Sequence, residues 1–365
     1  MNNSFDYCIL GAGLAGVSLA HELLKENATV CLVDPYGVAS GASGTPLGLV
    51  NPATGRYAMI SWEAEKCYSK IKKNLALVQA HSPIQFFKES GVLRPALENK
   101  IATRMKENFS TQPWPDGWIE WLDEDDLKSF HPGITCKGGG VWLPIGLTVD
   151  IGTYLNAFVD YLGGLGLKSF FNQSYSLSEK ENYWLIECTQ ATKIKADNLV
   201  FATGASTCSF SFWKNLPIHL VKGQLAVMKA DTPLSFKHAV SAQGYNASLD
   251  TKQFVIGSTY EHNFDHEDID VKELEYLLNR FKKVLPKLHL DSRVIHQWSG
   301  IRVSTPNRMP ILGEHPEYSH CFVFTGLGSK GLLYSRYLSE LMKDFLLNQI
   351  PIPKELSITR LDFTP

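Results

Sequence analysis

"YCILGAGLAGVSLAHELL", residues 7–24, decides how the rest of the chain is read. The apolar run FDYCIL just before the glycines has the pattern of a short buried strand, and LAGVSLAHELLKEN repeats apolar residues at helical spacing. Between them Gly11, Gly13 and Gly16 stand as G-x-G-x-x-G. The first glycine of that arrangement permits a tight turn, the second lets the backbone approach a pyrophosphate, and the third lets the helix pack close to the strand. Ala12, Leu14 and Ala15 complete the loop. The helix it opens offers unpaired amides and a dipole that favour phosphate. ATVCLVD is a second buried strand and ends in Asp34, placed to accept hydrogen bonds from a ribose diol. Glycines alone make only a tight turn. Strand, helix and acidic strand end together predict a dinucleotide site.

The 365 residues suffice for two domains, and 44% hydrophobic with 20% charged residues is ordinary for a globular enzyme. A net charge of -2 and a pI near 6.6 carry no basic excess, so broad attraction to nucleic acid or anionic membrane is not implied. Seven cysteines at wide spacing, without C-x-x-C, read as a reduced compartment with no disulfide framework. The opening MNNSFDYCIL predicts no signal peptide. No stretch reaches the ~18 apolar residues that span a bilayer. The expectation is a cytoplasmic protein that does not bind membrane.

After Asp34 comes PYGVASGASGTPLGLVNPATGR, residues 35–56, a long loop of glycines and small residues. Such a loop is functional or disordered, and its composition argues for close backbone approach to a ligand. SWEAEKCYSKIKKNLALVQAHS and DIGTYLNAFVDYLGGLG read as helices, and VKELEYLLNRFKKVLP as an amphipathic helix stopped by Pro286. YWLIECT, ADNLVFAT, IHLVKGQLAVMKA and QFVIGSTY read as strands. The fold class is α/β with extra antiparallel sheet, in two interleaved domains.

Four further stretches carry chemistry. Gly41, Ala42 and Ser43 of GASG, with Gly48 beyond, can line a pyrophosphate and a ribityl chain; alone they are a flexible loop. ADNLVFATGAST ends a strand at Thr203 and Gly204, at the edge of a parallel sheet where ligands bind. In WSGIRVSTPNRMPILG, Arg302 stands in an apolar stretch, suited to a substrate carboxylate or to a structural ion pair. In TGLGSKGLLYSRYLSEL, Gly326, Gly328, Ser329, Lys330 and Gly331 open a helix whose start suits an anion. HNFDHED spaces His262 and His266 four apart, but its polarity reads as a solvated loop, and no metal is expected.

ILGAGLAG, GASG, ATGAST, VKGQ, GIRVSTPNRMPILG and the C-terminal glycine loop together resemble the flavin-dependent D-amino-acid oxidase family, in order and over nearly the whole chain. Within it GASGTPLGLVNP, GYNASL, VIGSTYEHN and GLGSKGL are similar to glycine oxidase-like proteins and to the oxidase domain of bifunctional tRNA 5-methylaminomethyl-2-thiouridine biosynthesis proteins. The resemblance implies a Rossmann-like FAD-binding domain (1–83, 148–215, 298–365). A substrate domain on a mostly antiparallel sheet (84–147, 216–297) would interleave with it. It implies FAD as the dinucleotide, held by the glycine loops and Asp34, with Arg302 for the substrate carboxylate and the Lys330 helix start beside the flavin. Tyr245 and Tyr260 fall on substrate-domain strands, as aromatic contacts or as core residues. Val303 stands where sarcosine oxidase-like members carry their flavin-linking cysteine, so the FAD is expected to be non-covalent.

The implied chemistry is oxidation of a C–N bond in a small amine or amino acid, with hydride passing to flavin N5 and the imine then hydrolysed. An alternative takes the carboxymethyl group from a modified wobble uridine of tRNA. The lack of a basic excess and of a methyltransferase domain ahead of the flavin loop weighs against it. A flavin-binding sensor without turnover and a nicotinamide dehydrogenase are the readings of other classes. The second leaves GASG and the C-terminal glycine loop without a role.

Overall fold

The computed structural model describes residues 3–361 and 363. Five parallel strands run through its first sheet, in the order Lys168–Phe171, Val30–Asp34, Ser4–Leu10, Lys193–Phe201, Cys321–Thr325, and Tyr183–Cys188, Tyr175–Lys180 and Ile311–Glu314 join it antiparallel to make eight. Val30–Asp34 and Cys321–Thr325 are buried along their whole length, the continuous apolar pattern of strands covered on both faces. On one face lie the helices Leu14–Lys25, Ala64–Gln79, Ile151–Gly164 and Gly331–Asn348, which share one apolar core with the sheet. The other face is closed by Trp184, Ile186, Trp213 and Leu216. The first glycine loop thus stands at the carboxyl end of a parallel sheet, where a dinucleotide site is expected.

The second sheet has eight strands, in the order Ser292–Ser304, His219–Ala230, Gln253–Gly257, Tyr245–Ser248, Ala239–Val240, Val92–Pro95, Gly140–Leu143, Glu120–Leu122. Every pair is antiparallel except Ala239–Val240 with Val92–Pro95. Alternation along LAVM sends Leu225 and Val227 to a front core with Leu47, Ala53 and Val255. Ala226 and Met228 go to a back core with Leu277 and Phe281 of the helix Val271–Val284. The front therefore faces the glycine-rich loop. The strand Ser292–Ser304 runs unbroken through residue 298, where a domain boundary is expected.

One helix differs from its expected limits for a local reason. The first long one begins at Ala64, not Ser61, because the Ser61 amide and hydroxyl both bond the Pro52 carbonyl and Glu63 turns left-handed at φ 45°. The amphipathic helix Val271–Val284 ends before Pro286 as expected, and Pro286 then opens a separate short helix, Pro286–Leu290, at the position where its missing N–H costs nothing. All seven cysteines are free thiols. Among the described residues no helix is long and apolar enough to cross a membrane.

Behind the second sheet His131 and His238 share a hydrogen bond of 2.7 Å and pack against Phe130, Phe236 and Trp142. Burial, and for His131 also its neighbour His238, lowers their pKa values to about 3 and about 4. Unfolded, both imidazoles take up a proton near pH 6.5. The unfolded state thus binds more protons below that pH, and stability falls as pH drops from 6.5 towards 4. Urea unfolding across that range is expected to lose about 1.4 kcal/mol per pH unit for each imidazole. A His131→Phe, His238→Phe double variant should show a shallower slope; an unchanged slope would place the acid sensitivity elsewhere.

Candidate functional site

The first glycine loop closes on itself for steric reasons. Gly11 sits at φ +108°, and a Cβ there would lie 2.4 Å from the Ala202 carbonyl oxygen. At Gly16 it would lie 1.9 Å from the Gly11 oxygen, so the helix approaches the strand only because both are glycine. The Leu14 amide at the helix start donates to Ser43 Oγ at 3.2 Å, and a Cβ on Gly13 would meet the same oxygen at 3.0 Å. Ala12 and Ala15 are buried beside it. The structure thus brings the first loop and GASG together. Gly41 has open space where its side chain would be, and Ala42–Gly44 form a single 3-10 turn. Gly48 is instead packed: a Cβ there would lie 2.6 Å from Ile151 Cδ1.

Asp34 is buried, and its carboxylate is engaged by the protein. Oδ2 accepts from the Ala12 amide at 2.8 Å, and Oδ1 from the Tyr36 and Gly37 amides at 2.9 and 3.0 Å. The acid therefore ties the glycine loop to the loop after the second strand. Thr203 and Gly204 follow Ala202, whose amide bonds the Leu10 carbonyl, so this strand end stands directly beside Gly11.

The C-terminal loop converges on the same place. A Cβ on Gly331 would lie 3.3 Å from Leu14 Cδ1, so the two helix starts meet. Gly326 and Gly328 take φ +79° and +55°. The Gly328 amide donates to the Val303 carbonyl at 2.8 Å, joining this loop to the second sheet. Ser329 is exposed. Lys330 precedes the helix, and its Nζ lies over the Tyr334 ring, 5.2 Å from the centroid. Burial, then the nearby Arg308, lowers the Lys330 pKa. Arg308 is a second cation here that sequence reading passes over as one of several exposed charges.

Arg302 pairs with Val221 across the antiparallel strands, which puts both on the front of the sheet. Its Nη1 donates to the Thr259 carbonyl at 3.2 Å and Nη2 to Ser258 Oγ at 2.5 Å. The Tyr260 ring lies 4.8 Å from Cζ, so the guanidinium is held against an aromatic face. A Cβ on Gly223 would meet Nη1 at 2.2 Å. The glycine of VKGQ is therefore the floor on which the guanidinium rests, and a glycine inside a strand is the signal that marks such a close approach. Tyr260 is 55% exposed. Tyr245 is turned inward: its hydroxyl donates to the Leu47 carbonyl at 2.6 Å, and burial pushes its pKa up to about 12. Ser258 and Thr259 lie in a stretch that reads only as the end of a strand. His262 and His266 are exposed, and among the described residues no group of three potential ligands stands together.

These residues fit a bound FAD. Two glycine-rich helix starts meet at the carboxyl edge of the parallel sheet, and a Cβ at Gly11 or Gly16 would strike backbone and push strand, loop and helix apart, while Gly41 leaves open space beside them. The front of the second sheet, with Arg302, is tied to the same loop through Val303.

Comparison with known proteins agrees with this arrangement. Among curated proteins, the chain is 23% identical over 399 residues to the tRNA 5-methylaminomethyl-2-thiouridine biosynthesis bifunctional protein MnmC of Leptospira interrogans, covering 96% of this chain and 58% of that protein. The MnmC of Nitrosospira multiformis is 25% identical over 379 residues, with the same coverage. The chain thus spans little more than half the length of these relatives. Among solved structures, glycine oxidase from Geobacillus kaustophilus superposes with a TM-score of 0.87 at 20% identity, over 99% of this chain and 100% of that one. Iminodiacetate oxidase from Chelativorans gives 0.81 at 18% identity, over 96% and 99%. Residues 6–345 match the model of the FAD dependent oxidoreductase family, DAO, and the chain belongs to that family.

Proposed function

We propose that this chain oxidises a carbon–nitrogen bond in an amino acid or secondary amine that bears a carboxylate. The observation that carries the reading is the guanidinium of Arg302, spread over Gly223 with no carboxylate of the protein within 4.0 Å among the described residues. Two of its N–H groups are fixed by Thr259 and Ser258, which leaves others for a planar, bidentate anion. FAD, when bound, supplies the two-electron acceptor. Gly11, Gly13 and Gly16, the Ser43 turn, the Thr203–Gly204 strand end and the Gly326–Gly331 helix start are the groups that would hold it, without a covalent link. Arg302 fixes one end of the substrate, and fixing it converts encounter into a positioned reaction. Tyr245 keeps its proton and joins the glycine loop to the sheet, so its part is positioning. The substrate amine needs only to arrive neutral, and no side chain is assigned as its base.

A second reading concerns substrate size. An open depression of about 550 Å³ at the start of the strand His219–Ala230 is lined by Ile218, His219, Leu220, His262, Asn263, Phe264 and Asp265. An N-carboxymethyl group on a larger polar body, such as a wobble uridine of tRNA, would also offer its carboxylate to Arg302, with space at the start of that strand for the rest of the molecule. The names of the MnmC relatives support the same reading.

Anaerobic titration of the holoenzyme with glycine, sarcosine, D-amino acids and modified tRNA is expected to bleach the flavin with at least one of them. No bleaching by any amine would leave a flavin-binding protein without this activity. Arg302→Ala is expected to raise the KM for a carboxylate-bearing amine about tenfold or more, the loss of ~1.5–3 kcal/mol that charge-assisted hydrogen bonds imply, while bound FAD is retained. Gly223→Ala is expected to act in the same direction without removing any charge, because its new methyl group occupies the place of the guanidinium. An unchanged KM in both variants would move the carboxylate site away from Arg302.

A further inference from the structure

Behind Arg302, on the back of the sheet, lies a buried polar cluster that the proposed reaction does not use. Lys222 is 2% exposed, and the one carboxylate within 4.0 Å of its Nζ among the described residues is Glu261, at 3.7 Å. Gln224, also buried, donates Nε2 to both Glu261 oxygens at 3.0 and 3.1 Å. The fully buried Thr259 donates its hydroxyl to Glu261 and accepts from the Gln224 amide at 2.8 Å. The Gln224 side-chain oxygen accepts from the Asp270 amide at 2.7 Å, where the helix Val271–Val284 begins. Every donor turned toward Glu261 is thus buried, and a buried cation or amide without its acceptor is costly.

Thr259 connects this cluster to the front of the sheet. Its side chain turns back to Glu261, while its carbonyl turns forward to Arg302 Nη1. Ser258, the other residue that holds the guanidinium, is its neighbour in the chain. Glu261 is further pinned to Lys222 by a reciprocal pair of backbone hydrogen bonds, 3.0 and 2.9 Å. We propose that Glu261 is a positioning residue for Arg302: its carboxylate gathers Lys222, Gln224 and Thr259 and so fixes the Ser258–Tyr260 stretch that aims the guanidinium. The proposal rests on the assignment of Arg302 to the substrate carboxylate. It goes further by locating the origin of that site's geometry on the opposite face of the sheet.

Glu261→Gln removes the charge opposite Lys222 and turns a donating NH2 toward other donors. Glu261→Asp keeps the charge on a side chain shorter by one methylene. The probe is acetate, titrated into FAD-loaded protein and followed by calorimetry and by the flavin difference spectrum. Glu261→Gln is expected to weaken acetate binding about tenfold, as a small displacement of a positioning group does. Its FAD affinity should not change, the KM for a carboxylate-bearing amine should rise with kcat within about twofold, and Glu261→Asp should recover part of the loss. Where Glu261→Gln does not fold, Thr259→Val removes only the hydroxyl link and is expected to weaken acetate in the same way. Arg302→Lys, run in parallel, separates two failures. If it weakens acetate and the folded Glu261 or Thr259 variant does not, the positioning role is overturned and the carboxylate site stands. If Arg302→Lys leaves acetate binding unchanged, the carboxylate site itself is overturned. A parallel fall in FAD affinity would make the cluster merely structural and would overturn the proposal.

Discussion

The hydrogen bond from the Gly328 amide to the Val303 carbonyl is where the two halves of this protein are set in register. On one side of it runs the strand Ser292–Ser304, whose Arg302 belongs to the second sheet. On the other side the C-terminal glycine loop leads into the helix Gly331–Asn348, which packs on the nucleotide-binding sheet. A rotation of one sheet against the other would break this bond and leave a buried carbonyl without a donor. The place of Val303 explains why the strand continues past residue 298. A chain that broke there would lose the direct link between Arg302 and the C-terminal glycine loop.

The same joint is braced from the opposite side. Tyr245 reaches from the sheet to the Leu47 carbonyl, and Leu47 and Ala53 pack into the front core. The glycine-rich loop, which sequence composition suggests is either functional or disordered, is held between the two sheets. It is ordered because its few apolar residues enter the second sheet's core while GASG is drawn to the first helix by Ser43. Function and fold meet in one segment: the residues that leave room for a ligand, such as Gly41, alternate with residues that anchor the loop.

Much of this was legible in the sequence, because the parallel sheet and its loops rest on local rules. Continuous apolar strands, three glycines at fixed spacing and a strand ending in Asp34 each have a backbone reason that one segment contains. Arg302 was legible as a charge in an apolar run. What surrounds it was not. Ser258 and Thr259 are distant in sequence, and their side chains and carbonyls have no pattern of their own. Gly223 reads as one glycine in a strand until the register places Arg302 across it. Asp34 was legible as an acid at a strand end. Its protein-facing bonds were not, since they depend on the turn through Tyr36 and Gly37.

Three arginines reach into the interior, and comparing them supports the proposed role of Arg302. Arg336 bonds Glu22, His21 and the Ser18 carbonyl, joining the helices Leu14–Lys25 and Gly331–Asn348. Its charge is neutralised: burial alone would raise the Glu22 pKa, but bonds from His21, Arg336 and Lys25 outweigh it and hold it at about 2. Arg94 bonds the Ala53 and Gly55 carbonyls and Ser241 Oγ, and burial lowers its pKa to about 10. Its Nη groups are spent on the loop that flanks the site and on Ser241, while its buried Nε has no partner. Arg302 has neither a carboxylate partner nor a full set of acceptors, and it is less deeply buried than either. A guanidinium laid against Tyr260, floored by a glycine and left short of anions has the geometry of a receptor, whereas the other two have the geometry of joints.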